Sequence, residues 1–181
     1  PRIAFVNKMD RLGADFFGVV EQIKEKLGAN AVPFEIPVGS EDDYTGVIDL
    51  IERKAYTWEG DDKEYGVKYN TVDVPEELKE TVEEWREHLI ESVIEFDEDM
   101  MERFFDNREA ITVKEFKAVA RKAVLKRDIV PVLCGSAFKN KGIQQLLDSI
   151  IEYLPSPLDI PPVKGINPKN EEEIERRADK E

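Results

Sequence analysis

The sequence has 181 residues, of which 41% are apolar and 36% are charged, and its formal net charge is -14. This size fits one large domain or two small ones, and the acidic balance excludes non-specific wrapping of nucleic acid, favouring a basic protein partner. The single cysteine, Cys134, excludes an internal disulfide framework and is typical of a reducing cytoplasm. No apolar run approaches the roughly 20 residues that span a bilayer, so no membrane contact is expected.

A short apolar run opens the chain and is followed at once by polar residues. Residues 2–6 predict a buried strand of a parallel sheet, and residues 7–10 stand where that strand ends. Asp15 is a candidate N-cap of the helix that follows, and Gly28 is its stop. Because open α/β sheets bind ligands at the carboxyl ends of their strands, residues 7–10 are the expected ligand-reading loop.

The four residues Asn7-Lys8-Met9-Asp10 suit a guanine base. The Asp10 carboxylate can accept two parallel hydrogen bonds from guanine N1–H and N2–H, whereas adenine would leave it unpaired. Asn7 can supply an amide to the other edge of the base or tie neighbouring loops together. The stem of Lys8 can lie across a ring face while its ammonium stays in water. A plain polar loop after a strand is the alternative if nothing else in the chain agrees.

The next part of the chain has the pattern of short strands. Residues 32–40 are a candidate strand, and their two prolines favour an edge position. Residues 46–51 and 54–58 predict a small antiparallel sheet, with a turn at 59–62 and another extended segment at 65–74.

Three helices are predicted after these strands. The first starts at Pro75 and carries an apolar stripe, and a shorter one covers residues 97–105. The third begins with a capping box at Thr112 and runs to about Arg127. The middle of the chain therefore predicts an α+β block.

A second buried parallel strand is predicted at residues 129–134, and it ends in Gly135-Ser136-Ala137. This tight turn can present a backbone N–H to the O6 atom of guanine, and the Ser136 hydroxyl can bond the Asp10 carboxylate. A Ser-Ala pair alone carries little information. Together with residues 7–10, each loop lying between a strand and a helix, it predicts a base site formed by Asn7, Lys8, Asp10, Ser136 and Ala137.

The last predicted helix follows Gly142, and its apolar positions share one face: Ile143, Leu146, Leu147, Ile150 and Leu154. Residues 155–162 contain four prolines and predict an extended linker. From Asn167 onward the chain is charged and nearly free of apolar residues, so we expect it to be poorly ordered.

The two loops resemble the guanine-specificity motifs of GTPases, N-K-x-D and Ser-Ala. Residues 2–28 and 129–162 are similar to the translational GTPases, and most closely to the bacterial elongation factor G family. The resemblance is carried by V-N-K-M-D-R at 6–11, C-G-S-A-F-K-N-K-G at 134–142 and Y-L-P-S-P at 153–157.

The resemblance implies an α/β fold, a partial P-loop GTPase-type parallel sheet with an inserted α+β subdomain. The G domain would supply its base-reading loop and helix from residues 1–28 and its last strand, Ser-Ala loop and helix from 127–156. The inserted subdomain would cover residues 29–126. Residues 157–181 would be a linker toward a second domain.

The resemblance also implies that the intact protein uses GTP hydrolysis to move transfer RNA and messenger RNA through the ribosome. GTP or GDP would be the nucleotide, with Mg²⁺ held by other parts of the protein. The phosphate-binding pattern G-x-x-x-x-G-K-[ST] does not occur in the 181 residues. We therefore interpret the chain, which starts at Pro1, as a fragment with no catalytic residue, no metal ligand and no bound nucleotide of its own.

Five acidic residues have helical spacing and are expected to line one face of a helix as an acidic row: Glu84, Glu87, Glu91, Glu95 and Glu98. A solvated helix face is one interpretation. The resemblance implies another, because the inserted subdomain of this family contacts the stalk protein of the large ribosomal subunit. We hypothesise that Glu91, Glu95 and Glu98 contribute to that contact, and the acidic face disfavours contacts with ribosomal RNA.

Two alternatives remain at this point. The chain could belong to a related translational GTPase, such as a peptide-chain release factor or a ribosome protection protein. It could instead act only as a protein-binding module, with the inserted block providing the whole function.

Overall fold

The structure, a computed structural model, describes residues 1–58, 66–107, 111–168, 170 and 172–178. The turn predicted at residues 59–62 lies outside them. The strands are β1 (Ala4–Val6), β2 (Ala31–Pro33), β3 (Glu35–Val38), β4 (Gly46–Asp49), β5 (Lys54–Thr57), β6 (Asn70–Asp73), β7 (Val130–Cys134), β8 (Val163–Ile166) and β9 (Glu173–Arg176). The α-helices are α1 (Phe16–Leu27), α2 (Lys79–Ile94), α3 (Glu98–Asp106), α4 (Val113–Lys126) and α5 (Ile143–Tyr153).

The fold is mixed α/β and has a parallel sheet in the order β1-β7-β2. Strand β7 lies in the centre, pairs with β1 from Ala4↔Val132 to Val6↔Cys134, and is buried along its whole length. This is the reason why its sequence is continuously apolar rather than alternating. The predicted parallel sheet is confirmed. Of its two predicted strands, β7 is fully buried, whereas in β1 Ala4 and Phe5 are half-buried and Val6 is buried.

Helix α1 begins and ends as the sequence predicts. The Asp15 side chain accepts a hydrogen bond from the Gly18 backbone N–H and caps the first turn. Gly28 ends the helix in the left-handed conformation, at φ +60°, and its N–H donates to the Lys24 carbonyl. A left-handed residue at this position favours glycine because a Cβ atom is strained there.

The single strand predicted at residues 32–40 is two strands in two different sheets. Strand β2 pairs with β7 in the parallel sheet, and β3 pairs with β4 in an antiparallel sheet of order β3-β4-β5-β6. The Phe34 N–H still donates to the Val132 carbonyl, so the chain leaves the first sheet at this residue. Both strands lie at sheet edges, where their prolines cost no ladder hydrogen bond. The antiparallel sheet thus starts at Glu35, later than the predicted start of the inserted block at Ala29.

Helix α5 buries residues outside the apolar face that the spacing predicts. Its buried residues are Gln145 and Tyr153, whereas Leu147 is 54% exposed and Ile150 is 38% exposed. Helix α5 packs against α4, and its Tyr153 ring packs edge-to-face on Phe34, the residue between β2 and β3, at a centroid distance of 5.0 Å. Helical spacing identifies an apolar face but does not identify what covers it.

The charged segment after Asn167 also differs from expectation. Strand β9 pairs with β8 in an antiparallel hairpin from Val163↔Arg176 to Ile166↔Glu173. Its side chains are almost all exposed, so backbone pairing rather than a core holds the hairpin together. Within the described residues, no helix is long and apolar enough to cross a membrane.

The capping box of α4 provides a test of the fold. The Thr112 hydroxyl accepts from the Glu115 N–H, and the Glu115 carboxylate accepts from the Thr112 N–H at 3.0 Å. We predict that Thr112→Ala lowers the free energy of unfolding by about 1 kcal/mol, because a helix N-terminal donor loses its partner. Urea denaturation measures this change.

Thr112→Ser is the matched control because it keeps the capping oxygen, and its stability should stay close to that of the original chain. Equal stability of the Thr112→Ala variant and the original chain would contradict the role of this cap.

Candidate functional site

The two predicted base loops lie next to each other at one end of the parallel sheet. Strands β1 and β7 are direct neighbours, so the residues after Val6 and after Cys134 leave the sheet at the same edge. The Gly135 N–H donates to the Val6 carbonyl at 3.0 Å, and the Met9 N–H donates to the Gly135 carbonyl at 3.1 Å. Met9 is 1% exposed, so its side chain anchors the first loop in the core.

Asn7 ties the two loops together. Its Oδ1 atom accepts hydrogen bonds from the Ala137 N–H at 2.9 Å and from the Lys8 N–H at 2.8 Å. The sequence allowed Asn7 either to contact the base or to tie the two loops together, and in the structure it ties the loops together. The Ala137 N–H, which the sequence assigned to the base O6, therefore has Asn7 as its partner here.

The second loop has a closed shape that depends on two glycines. Ser136 and Lys141 exchange two backbone hydrogen bonds of 3.0 Å, which close the loop between them. A Cβ atom at Gly135 would lie 2.6 Å from the Phe5 ring, and Gly142 has a φ of +80°. These positions exclude larger residues, so the loop packs directly against the β1 strand.

The Asp10 carboxylate is held between two polar groups of the second loop. Its side chain is 8% exposed, the Ser136 side chain hydrogen-bonds to it, and its Oδ2 atom lies 3.5 Å from the Lys139 ammonium. Burial alone would raise the pKa of Asp10, but the bonds from Ser136, from its own backbone N–H and from Lys139 lower it below its ordinary value of 3.8. Asp10 is thus an ionised acceptor.

The rest of the candidate site is open to a ligand. Asn7, Lys8 and Ala137 are exposed, whereas Ser136 is 2% exposed beneath them. Lys8 has a φ of +65°, a left-handed conformation that few residues other than glycine adopt. Its stem is available to cover one face of a planar ring.

Two residues near the site were missed by the sequence analysis. Lys139 contacts Asp10 across the two loops, and only the pairing of β1 with β7 reveals this contact. Glu41 lies 28 residues beyond Gly13 and accepts from its N–H at 2.7 Å, while the Glu41 N–H donates to the Met9 carbonyl at 2.9 Å. No spacing rule in the sequence links Glu41 to this loop.

The acidic row is not one continuous helix face. Glu91 lies in the last turn of α2, Glu95 is the C-cap of α2, and Glu98 starts the separate helix α3. All three side chains are exposed. Glu98 also has a local structural role, because a carboxylate in the first turn interacts favourably with the helix dipole.

Comparison with known proteins defines the class to which this fold and site belong. Residues 1–156 match the family model described as the Elongation factor Tu GTP binding domain. The match covers most of the chain, so the chain belongs to this family of GTP-binding domains.

Particular relatives narrow this class to elongation factor G. The chain is 55% identical to elongation factor G from Amoebophilus asiaticus (strain 5a2) over 99% of its length, and 52% identical to that from Aquifex pyrophilus over 98%. It spans about a quarter of each relative, 25% of the length in both cases. A crystal structure of a protein from Thermus thermophilus superposes with a TM-score of 0.74 and 29% identity, over 90% of this chain and 24% of the other.

The environment of Asp10 generates a pH-dependent prediction. We expect Ser136→Ala to raise the pKa of Asp10, because burial remains while a stabilising hydrogen bond is lost. Because this pKa is lowered by folding, the contribution of Asp10 to stability is present above pH 3.8 and is lost as the pH falls through the folded-state value. As the pH is lowered, the Ser136→Ala variant should lose this contribution to stability at a higher pH than the original chain does. Carbon-13 NMR of the carboxyl group measures the pKa directly.

Ser40→Ala is the control, since the Ser40 side chain makes no capping hydrogen bond and is exposed. An Asp10 pKa that does not move in Ser136→Ala would contradict this account of the site.

Proposed function

We propose that Asn7, Lys8, Asp10, Ser136 and Ala137 form the guanine-reading half of a GTP site. The observation that supports this most directly is the 2.9 Å hydrogen bond from the Ala137 N–H to the Asn7 side chain, which joins residues 130 positions apart. Two loops held in this way can contact neighbouring groups of one purine ring.

Each residue has a distinct part in the proposed recognition. The ionised Asp10 accepts from guanine N1–H and N2–H, and Ser136 with Lys139 keeps the carboxylate oriented and charged. Lys8 covers the ring, and the Ala137 N–H donates to O6. A guanine O6 at that position would share the donor with the Asn7 carbonyl or displace it.

In the intact protein, we propose that this site serves an elongation factor G that hydrolyses GTP and drives movement of transfer RNA and messenger RNA through the ribosome in the cytoplasm. The identities of 55% and 52% to proteins of that name favour this over a release factor or ribosome protection protein. The phosphates and Mg²⁺ would be held by residues outside this sequence, which has no G-x-x-x-x-G-K-[ST] pattern.

We propose further that Glu91, Glu95 and Glu98 form part of a docking surface for the stalk protein of the large ribosomal subunit. Their exposure supports this, and so does the net charge of -14, which favours a basic partner. The surface would span the end of α2 and the start of α3 rather than one helix face.

The base site gives a specificity prediction. Asp10→Asn in the full-length protein places an amide N–H₂ against guanine N2–H₂, two donors that cannot pair. We expect GDP affinity to fall by about 100-fold or more, and xanthosine diphosphate, whose O2 accepts, to bind better than GDP. Competition binding with the two nucleotides measures both changes.

The exposed Asp42→Asn carries the same chemical change outside the site and should leave both affinities unchanged. If Asp10→Asn keeps the original preference for GDP, Asp10 does not read the base.

The acidic surface gives a kinetic prediction. Reversing Glu91, Glu95 and Glu98 to Lys should slow association of the full-length protein with ribosomes, and the effect should be largest at low salt, where charges steer over long distances. Stopped-flow association at several ionic strengths measures it.

Reversal of Glu172, Glu173 and Glu175 in the exposed β8-β9 region changes the net charge by the same amount and is the matched control. If the variant with Glu91, Glu95 and Glu98 reversed associates with ribosomes as fast as this control variant, the docking hypothesis is wrong.

A further inference from the structure

The turn that joins β3 to β4 belongs to the antiparallel sheet, yet it lies against the base site. It contains residues 39–45 and is closed by its own backbone hydrogen bonds. The Asp43 N–H donates to the Ser40 carbonyl at 3.0 Å, and the Thr45 N–H donates to the Val38 carbonyl at 3.0 Å. The turn therefore has a shape that its internal contacts define, and it can hold a neighbouring loop in place.

Glu41, in this turn, makes two hydrogen bonds to the first base loop, residues 7–14. Its Oε1 atom accepts from the Gly13 N–H at 2.7 Å, and its own N–H donates to the Met9 carbonyl at 2.9 Å. These two contacts lie on either side of Asp10, the residue proposed to read guanine. One residue of the antiparallel sheet thus holds both flanks of the segment that carries this carboxylate.

The same turn also contacts the second base loop, residues 135–142. The Lys141 ammonium donates to the Tyr44 carbonyl in a longer hydrogen bond of 3.4 Å, and Tyr44 is only 2% exposed. Lys141 is the residue that exchanges two backbone hydrogen bonds with Ser136 and so closes the second loop. The β3–β4 turn is therefore in contact with both loops of the candidate site.

The backbone of Glu41 has a conformation that most residues avoid. Its φ is +57°, in the left-handed region. Five non-glycine residues in the part of the chain that the structure describes have a positive φ, and three of them lie here: Lys8 in the first loop, Glu41 in the turn and Asn140 in the second loop. Such conformations persist only where surrounding contacts impose them, and they cluster at ligand-binding sites. The turn shares this property with the two loops it contacts.

We propose that Glu41 is a positioning residue for guanine recognition. By holding Met9 and Gly13, it keeps the Asp10 carboxylate in the orientation that accepts from both N1–H and N2–H of the base. Two parallel hydrogen bonds require a defined orientation, so a loop that is released at its flanks loses one of them first. This inference rests on the proposed function of Asp10, and it adds the antiparallel sheet to the parts of the protein that determine base specificity.

Binding of GDP and inosine diphosphate to the full-length protein tests the proposal. Inosine lacks the N2 amino group of guanine, so the ratio of the two affinities reports the second hydrogen bond to Asp10. We expect Glu41→Ala to lower the affinity for GDP by about tenfold or more and that for inosine diphosphate by less than about threefold. Glu41→Gln keeps the Oε1 acceptor for the Gly13 N–H and should restore both affinities. A loss of stability alone would lower both affinities by the same factor.

Asp42→Ala is the matched control, because it removes a carboxyl group from the next position of the same turn, where the side chain is exposed. It should leave both affinities unchanged, and thermal unfolding checks that each variant is folded. The positioning role is wrong if Glu41→Ala lowers both affinities equally or lowers neither, or if Glu41→Gln behaves like Glu41→Ala, while Asp10→Asn still abolishes the preference for GDP. If Asp10→Asn keeps that preference, the proposed function itself fails, and this inference fails with it.

Discussion

The parallel pairing of β1 with β7 is the constraint on which the candidate site depends. Three residue pairs, from Ala4↔Val132 to Val6↔Cys134, bring together parts of the chain that are far apart in sequence. The entropy of closing such a long loop grows only slowly with its length, so a large block can lie between the two strands. That block has its own antiparallel sheet and helices, and its buried residues are continuous with the rest of the core.

The pairing alone does not determine the site, because both strands end before the loops that carry its side chains. Side-chain and backbone bonds across the loops supply the rest: Asn7 to Ala137, Met9 to Gly135, and Lys139 with Ser136 around Asp10. These contacts keep one carboxylate ionised although it is largely removed from water. A single charged acceptor in that setting discriminates strongly between ligands, because an unmatched partner would leave it unpaired.

Much of the fold and of the candidate site could be predicted from the sequence. The features that could not be predicted have physical reasons. Patterns complete within a few residues were predicted correctly, such as the Thr112 capping box and the continuously apolar β7. The switch between sheets at Phe34 was missed because local propensity does not reveal which neighbour a strand selects. The spacing placed Leu147 on an apolar helix face but could not show that it is exposed, because spacing defines a face and not its contacts. The role of Lys139 requires two distant loops to be placed first.

The most direct test of the central claim is a crystal structure of the full-length protein with GDP. The account predicts that the Asp10 carboxylate oxygens lie about 2.7–3.2 Å from guanine N1 and N2, and that the Ala137 nitrogen lies within the same range of O6. A base bound elsewhere, or one that contacts only one of the two loops, would contradict it.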